Sequence, residues 1–177
     1  MIRRGEVRDA AALAAFAART FEETFAADNH PDDLRAHLTA TYGVQQQSAE
    51  LSDPDVITLL AETGGELVAY AQIRRKQPPP SVTHSAPVEL HRFYVDHRAH
   101  GTGLAATLIE AARSAAIELG GRHLWLGVWE HNPRAIAFYR KSGFIDVGST
   151  LYMVGLDRQT DRVMVAALSP TSQENCK

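Results

Sequence analysis

Cysteine is almost absent from this chain, which has a single one, Cys176, beside the last residue. One thiol cannot form an intrachain disulfide, and it cannot supply the several sulfur ligands of a Cys-based metal site. The eight histidines also lack the His-x-x-x-His spacing that places two zinc ligands on one helix face. We therefore expect chemistry that uses no metal.

Long apolar runs and an excess of basic charge are lacking as well. The longest apolar stretches, within residues 10–18, are short and rich in alanine, well below the ~20 residues that a bilayer span needs. The segment Met1 to Glu6 has no apolar core of a signal peptide. A net charge of -3 gives no broad basic surface for a phosphate backbone. These absences predict a cytoplasmic protein with neither membrane nor nucleic acid as partner.

The length of 177 residues, 45% of them hydrophobic, fits one α/β domain with a real core. We expect this domain to cover residues 1–168, followed by a polar tail at 169–177. After a first strand, Asp9 is predicted to cap a helix, and a second helix is predicted over Asp32 to Tyr42 behind Pro31. Val56 to Ala61 and Leu67 to Ile73 then predict a hairpin around two glycines.

The second half predicts alternating strands and helices. In the strand Val88 to Val95, strict alternation places Glu89, His91, Phe93 and Val95 on one face. The following helix begins at Leu104 and stops at Gly120, and another begins at Asn132 and Pro133 and stops at Gly143. The remaining predicted elements are the strands His123–Val128, Ser149–Leu156 and Arg162–Leu168, with a turn at 157–161 between the last two.

A glycine-rich turn joins the strand Val88 to Val95 to the helix at Leu104. Backbone N–H groups at such a helix start have no partner inside the helix, so they bind an anion such as a pyrophosphate. A third glycine and a following acidic residue, which a dinucleotide-binding turn requires, are missing, and so is the Gly-Lys-Ser/Thr of a P-loop. The turn consists of His100, Gly101, Thr102, Gly103, Leu104 and Ala105.

These residues resemble the coenzyme A loop of the GNAT family of N-acetyltransferases, Gln/Arg-x-x-Gly-x-Gly/Ala. We place His100 at its first position as a departure from Gln or Arg, because a register beginning at Arg98 would start the helix two residues early. A second family motif resembles Trp125, Leu126, Gly127, Val128, Trp129, Glu130, Asn132, Ala135, Phe138, Tyr139, Gly143 and Phe144. The closest resemblance is to bacterial spermidine/spermine acetyltransferases of the PaiA type, through Thr20, Phe21, Glu23, Thr24, Phe25, Asp28, Asn29, Gln159, Thr160 and Asp161.

The resemblance implies a mixed, mostly antiparallel sheet flanked by helices, with acetyl-coenzyme A between two splayed central strands. It implies that Tyr139 donates a proton to the leaving thiolate and that Glu89, or its rival His91, serves as base directly or through water. The acceptor would be a primary amine, such as a polyamine. The implied cofactor-binding residues are Phe93, Tyr94, Val95, His100, Gly101, Thr102, Gly103, Leu104, Ala105, Asn132 and Ala135.

Two other functions fit the same residues. A non-catalytic acyl-coenzyme A sensor would keep the loop and the fold, whereas a protein or peptide N-acetyltransferase would add a peptide groove beside Tyr139. An exposed edge strand at Arg162 to Leu168 would allow a homodimer.

Overall fold

Seven strands form one mixed sheet in the computed structural model, which describes residues 1–169. Cys176 and nearly all of the tail predicted at 169–177 lie outside the described residues. The strands are β1 (Ile2–Arg4), β2 (Val56–Thr63), β3 (Glu66–Arg74), β4 (Pro87–Val95), β5 (His123–Trp129), β6 (Ile145–Val154) and β7 (Asp157–Ala167). The helices are α1 (Ala10–Phe25), α2 (Pro31–Thr41), α3 (Val44–Ser52), α4 (Leu104–Glu118) and α5 (Pro133–Lys141).

The strand order is β1-β2-β3-β4-β5-β7-β6. Every neighbouring pair is antiparallel except β4 and β5, which run parallel. The predicted mixed, mostly antiparallel sheet with flanking helices is therefore confirmed. Among residues 1–169, no helix combines the length and the apolarity that a membrane crossing needs.

Local signals set both ends of α5 as the sequence predicts. The Asn132 side chain accepts a hydrogen bond from the N–H of Ala135 at 3.1 Å, and Pro133 occupies the first helical position. Gly143 follows the helix with a φ of +84°, a conformation that glycine adopts without steric cost. Asp9, by contrast, does not cap α1, because its carboxylate instead accepts the N–H of Glu6 at 2.8 Å.

The strict alternation predicted for β4 is wrong because the strand contains a β-bulge at His91. Gln72 of β3 pairs with Arg92, while the next residue, Ile73, pairs with Leu90, so His91 is an extra residue. The bulge reverses the faces on its two sides. Val88, Leu90, Phe93 and Val95 contribute to the core under α4, whereas Glu89 lies on the opposite face beside Arg74.

The predicted turn at 157–161 is also wrong, since these residues belong to β7. The hairpin turns at Gly155 and Leu156, where Gly155 has a φ of +59° and Val154 pairs with Asp157. A two-residue hairpin turn needs such a positive φ, and glycine supplies it. Because β7 lies between β5 and β6, the predicted edge at Arg162 to Leu168 is wrong, and β6 forms that edge of the sheet.

The sheet separates two layers of apolar side chains. One layer packs under α4 and α5, and the other packs under α1 and α2 around Phe21, Tyr42 and Tyr70. The helix α3, which the sequence pattern did not predict, is tied to this second layer by an ion pair between Glu50 and the buried guanidinium of Arg92. Removing one partner of such a buried pair typically costs about 3–5 kcal/mol, so α3 is an integral part of the fold.

Candidate active site

The central strands β4 and β5 separate after three residue pairs. Pro87 to Glu89 pair with His123 to Trp125, and the remaining lengths of the two strands diverge. On its other side, β4 stays bonded to β3, and the N–H of Asp96 still donates to the carbonyl of Val68 at 2.8 Å. Since backbone groups alternate in direction along a strand, the N–H groups of Phe93 and Val95 point into the gap.

A cavity of about 380 Å³ occupies this gap and extends under α1 and α5. It brings together most of the predicted cofactor residues and the predicted acid. The predicted residues that line it are Phe93, Tyr94, Val95, His100, Ala105, Asn132, Ala135 and Tyr139, with His91. Gly101, Thr102, Gly103 and Leu104 lie in the turn between the lining residues His100 and Ala105.

The glycine-rich turn has the backbone that an anion-binding loop needs. Gly101 and Gly103 have φ values of +78° and +83°, and no other described atom lies within 4 Å of where a Cβ would stand. The turn thus requires glycine for its conformation and leaves open space outside. The N–H groups of Ala105 and Ala106, in the first turn of α4, have no partner within the helix. The turn and the helix start together fit the diphosphate of coenzyme A.

His100, at the position where the family motif has Gln or Arg, makes a side-chain contact with the end of β4. Its Nε2 lies 3.0 Å from the carbonyl oxygen of Val95, so the ring donates a proton to this oxygen. The contact fastens the loop to the end of β4. It also occupies one backbone acceptor that faces the gap, while the N–H groups of Phe93 and Val95 stay available to a ligand.

Tyr139 lies in the apolar centre of the cavity wall. It is only 8% exposed, and its ring contacts Phe93, Phe138 and Phe144 at centroid distances of 6.2, 5.4 and 5.6 Å. Burial raises the pKa of the Tyr139 phenol above its usual value of 10. The phenol therefore keeps its proton at neutral pH and can donate it.

The two predicted bases are placed differently. The carboxylate of Glu89 accepts a bond from Nε of Arg74 at 2.5 Å, and Glu89 is not among the described residues that line the cavity. His91 does line the cavity, and its Nδ1 lies 3.8 Å from Oε1 of Glu89, beyond hydrogen-bond distance. Burial, and secondarily the charge of Arg92, hold the pKa of His91 well below 6.5, so its ring is neutral.

An aromatic compartment, which we define as Phe21, Phe25, Tyr42, Trp129 and Tyr152, forms the other half of the cavity. Tyr42 and Tyr152 were not predicted as site residues from the sequence. Alternation along the last hairpin is the sequence signal for Tyr152. The turn predicted at 157–161 hid this signal, because these residues in fact form the strand that pairs with β6.

Several polar residues without a predicted site role also line the cavity, among them Asp161, Gln159 and Arg134. Burial, together with the charge of Glu130, raises the pKa of Asp161 to about 6. In the described part of the chain, no cluster of three or more His, Cys, Asp or Glu side chains is arranged to hold a metal ion.

Comparison with known proteins identifies the family. A model of the acetyltransferase (GNAT) family matches residues 15–144, the range that contains the loop, the gap and Tyr139. The chain belongs to the GNAT acetyltransferase family. It is therefore an N-acetyltransferase, an enzyme that takes its acetyl group from acetyl-coenzyme A.

Relatives and solved structures agree with this assignment. An uncharacterised N-acetyltransferase of Mycobacterium tuberculosis is 34% identical over 160 residues, which cover 90% of this chain and 98% of the relative. The spermine/spermidine N(1)-acetyltransferase of Bacillus subtilis is 30% identical over 105 residues, covering 59% of this chain and 65% of that one. The PaiA N-acetyltransferase of Thermoplasma acidophilum, solved with coenzyme A, shares the fold with a TM-score of 0.75 at 19% identity, covering 94% and 98% of the two chains.

The loop geometry predicts a specific effect of Gly103→Ala. A Cβ at a φ of +83° strains the turn by about 1–2 kcal/mol and displaces the amides at the start of α4, so we expect acetyl-coenzyme A to bind roughly 10-fold more weakly. Isothermal titration calorimetry measures this loss. Gly65→Ala is the matched control, because Gly65 also has a φ of +83° but lies in the β2–β3 turn. Equal affinities of the two variants would contradict the assignment of the loop.

Proposed function

We propose that this enzyme transfers the acetyl group to a small primary amine, with Tyr139 as the general acid, and that polyamines are the first acceptors to test. One observation carries the proposal. A single cavity runs from the glycine-rich turn, past the backbone donors of β4 and the phenol of Tyr139, into the aromatic compartment. A donor and an acceptor can therefore enter the same cavity from its two ends and meet beside Tyr139.

The cofactor half would hold acetyl-coenzyme A through main-chain donors. In this proposal the turn from His100 to Ala105 binds the diphosphate, and the N–H groups of Phe93 and Val95 bind the extended arm of the cofactor. A backbone N–H of this strand also stabilises the oxyanion, because fixed donors act strongly on a charge that develops in a water-poor site. Asn132 uses its Oδ1 to cap α5, which leaves its Nδ2 for the ligand.

Tyr139 would supply the proton that the departing thiolate needs. Its environment is apolar on three sides, so its phenol is neutral throughout the working range of pH. Attack of the amine nitrogen forms the new C–N bond, and collapse of the tetrahedral intermediate breaks the C–S bond. The phenol proton passes to sulfur, and the proton released by the amine restores the phenol.

Of the two candidate bases, the geometry supports His91 better than Glu89. His91 lines the cavity and is neutral, so it can accept a proton from the acceptor directly or through water. Glu89 is committed to Arg74 and lies behind His91. In this proposal Glu89 orients the bulged segment of β4 and does not meet the acceptor.

The choice of an amine acceptor rests on the relatives and on the cavity itself. The Bacillus subtilis relative is named for acetylation of spermine and spermidine. In the cavity, aromatic walls and the buried carboxylate of Asp161 attract a cation, and of the two arginines that also line it, Arg92 is paired with Glu50. An acyl-coenzyme A sensor remains the alternative of another class, and acetylation of a protein remains the alternative acceptor. The cytoplasmic location and the homodimer stay predictions.

Release of free coenzyme A in the presence of acceptors tests the proposal directly. We expect thiol release from acetyl-coenzyme A with spermidine or a shorter diamine, and a much smaller rate with a peptide that offers only its N-terminal amine. A thiol-reactive dye measures the rate, and mass spectrometry identifies the acetylated product. Binding of acetyl-coenzyme A with no thiol release from any amine would contradict an enzyme and favour the sensor.

Tyr139→Phe tests the role of the general acid. Loss of the phenol proton should lower kcat by about 100-fold or more, while the affinity for acetyl-coenzyme A stays within about twofold. Tyr70→Phe is the matched control, because Tyr70 is also a buried phenol, has no hydrogen-bond partner among the described residues and does not line the cavity. If the two variants turned over equally fast, Tyr139 would have no part in proton transfer.

A further inference from the structure

Asp161 is a buried carboxylate in the wall of the acceptor half of the cavity. It lies on β7, paired with Trp129 of β5 on one side and with Thr150 of β6 on the other, and it is 8% exposed. Its Oδ2 lies only 3.1 Å from where a Cβ on residue 127 would stand, so Gly127 leaves the space that this carboxylate occupies. A glycine at this point of β5 allows the charged group to reach the cavity.

No described residue forms an ion pair or a side-chain hydrogen bond with Asp161. Its sequence neighbour Arg162 projects from the opposite face of the sheet and binds Asp146 at 2.7 Å. The charge that acts on Asp161 most is the carboxylate of Glu130, which has the same sign. A buried carboxylate without a counter-charge is costly, and a cationic ligand would remove that cost.

Most of the other charged and titratable groups around the cavity are bound within the protein or neutral. Arg92 is bound to Glu50, His91 is neutral, and His100 is bonded to the carbonyl of Val95. On β6, the Tyr152 hydroxyl lies 3.3 Å from Nε2 of His37 of α2. Arg134, in the first turn of α5, lines the cavity without a described ion pair, and Asp157 accepts a hydrogen bond from Gln159 at 2.8 Å.

Aromatic rings and a further acceptor stand beside this carboxylate. The Trp129 ring packs edge-on against Phe25 at 5.9 Å, and Tyr152 lines the same compartment. The amide nitrogen of Gln159 donates to Asn29 at 2.7 Å and to Asp157, which leaves its carbonyl oxygen for a ligand. Ring faces, a carbonyl oxygen and a carboxylate all attract an ammonium ion.

We propose that Asp161, with Trp129 and Tyr152, forms a subsite for a second, positively charged nitrogen of the acceptor. The nitrogen that attacks the thioester must be neutral, so an ammonium ion held at Asp161 belongs to another nitrogen of the same molecule. The enzyme would therefore select diamines and polyamines over monoamines of equal length. This inference rests on the proposed acetyl transfer to an amine and names the charge pattern of the acceptor.

Asp161→Asn tests the subsite with a diamine and a monoamine. In the wild-type enzyme, kcat/KM should be higher for 1,4-diaminobutane than for butylamine. The substitution should raise the KM for the diamine about 10- to 100-fold, the usual effect of losing a charged hydrogen-bond partner, and leave its kcat within about threefold. The KM for butylamine and the Kd for acetyl-coenzyme A should stay within about twofold.

Glu130→Gln is the matched control, because it removes a carboxylate next to Asp161 that does not line the described cavity. Its KM for the diamine should stay within about twofold of wild type. A loss of kcat in Asp161→Asn that is equal for both amines, or an unchanged KM for the diamine, would overturn the proposal. Should wild type release no thiol with any amine, the proposed function fails, and calorimetric titration of the diamine into wild type and Asp161→Asn still decides the subsite.

Thermal unfolding distinguishes a carboxylate at Asp161 that awaits a ligand from one that stabilises the fold. Because the pKa of Asp161 is raised above its unfolded value, its ionisation destabilises the fold, and this cost appears as the pH rises through about 6. Asp161→Asn should therefore have a higher Tm than wild type at pH 8 and a smaller difference at pH 5. A lower Tm of the variant at pH 8 would show that a protein group compensates Asp161, which would overturn the proposal.

Discussion

The early separation of β4 from β5 opens the cavity and determines where the elements around it can bind a ligand. The two strands pair over only three residues. Beyond Glu89, the backbone groups of β4 and β5 that face each other are too far apart to form hydrogen bonds. Unpaired backbone groups in a sheet interior are costly, and a native fold retains them where something else binds them. Here the glycine-rich turn, α5 and the aromatic compartment surround the gap, so the cost of the split is offset when a ligand with an extended polar arm enters.

The electrostatics of the cavity follow from this arrangement. Near Tyr139 the wall is apolar, and burial there raises the pKa of the phenol, which therefore stays protonated at neutral pH. Glu89 is bound to Arg74 and does not line the cavity, whereas Arg92 does line it and is ion-paired with Glu50. The carboxylate of Asp161, which has no counter-charge among the described residues, lies at the other end, where a bound cation would balance its charge. The cavity thus has an apolar region around Tyr139 and a charged region around Asp161.

The parts of the fold that sequence reasoning predicted are those with local causes. The cap at Asn132, the glycines that begin α4 and end α5, and the β2–β3 hairpin all depend on residues within a few positions of one another. Family resemblance then predicted which of these elements would form the cofactor half of the cavity. The sequence could bring most of those residues and Tyr139 to one cavity because their motifs are short and continuous.

The errors have causes that lie far apart in the sequence. The bulge at His91 depends on pairing with β3, and it moved Glu89 to the face of Arg74. The polar residues 157–161 resemble a turn, but they pair with β6, and two of them, Gln159 and Asp161, point into the cavity. The last strand looks like an edge in sequence order, yet β7 lies inside the sheet. The acceptor half was therefore harder to predict, because three distant segments build it.

Amide hydrogen exchange at single-residue resolution can show whether the gap between β4 and β5 binds the cofactor. If the gap between β4 and β5 binds the arm of acetyl-coenzyme A, adding the cofactor should slow exchange at the amides of Phe93 and Val95. The amides of Arg92 and Tyr94, which already donate to β3, should change little. Saturating cofactor that leaves Phe93 and Val95 exchanging at their original rates would contradict the account.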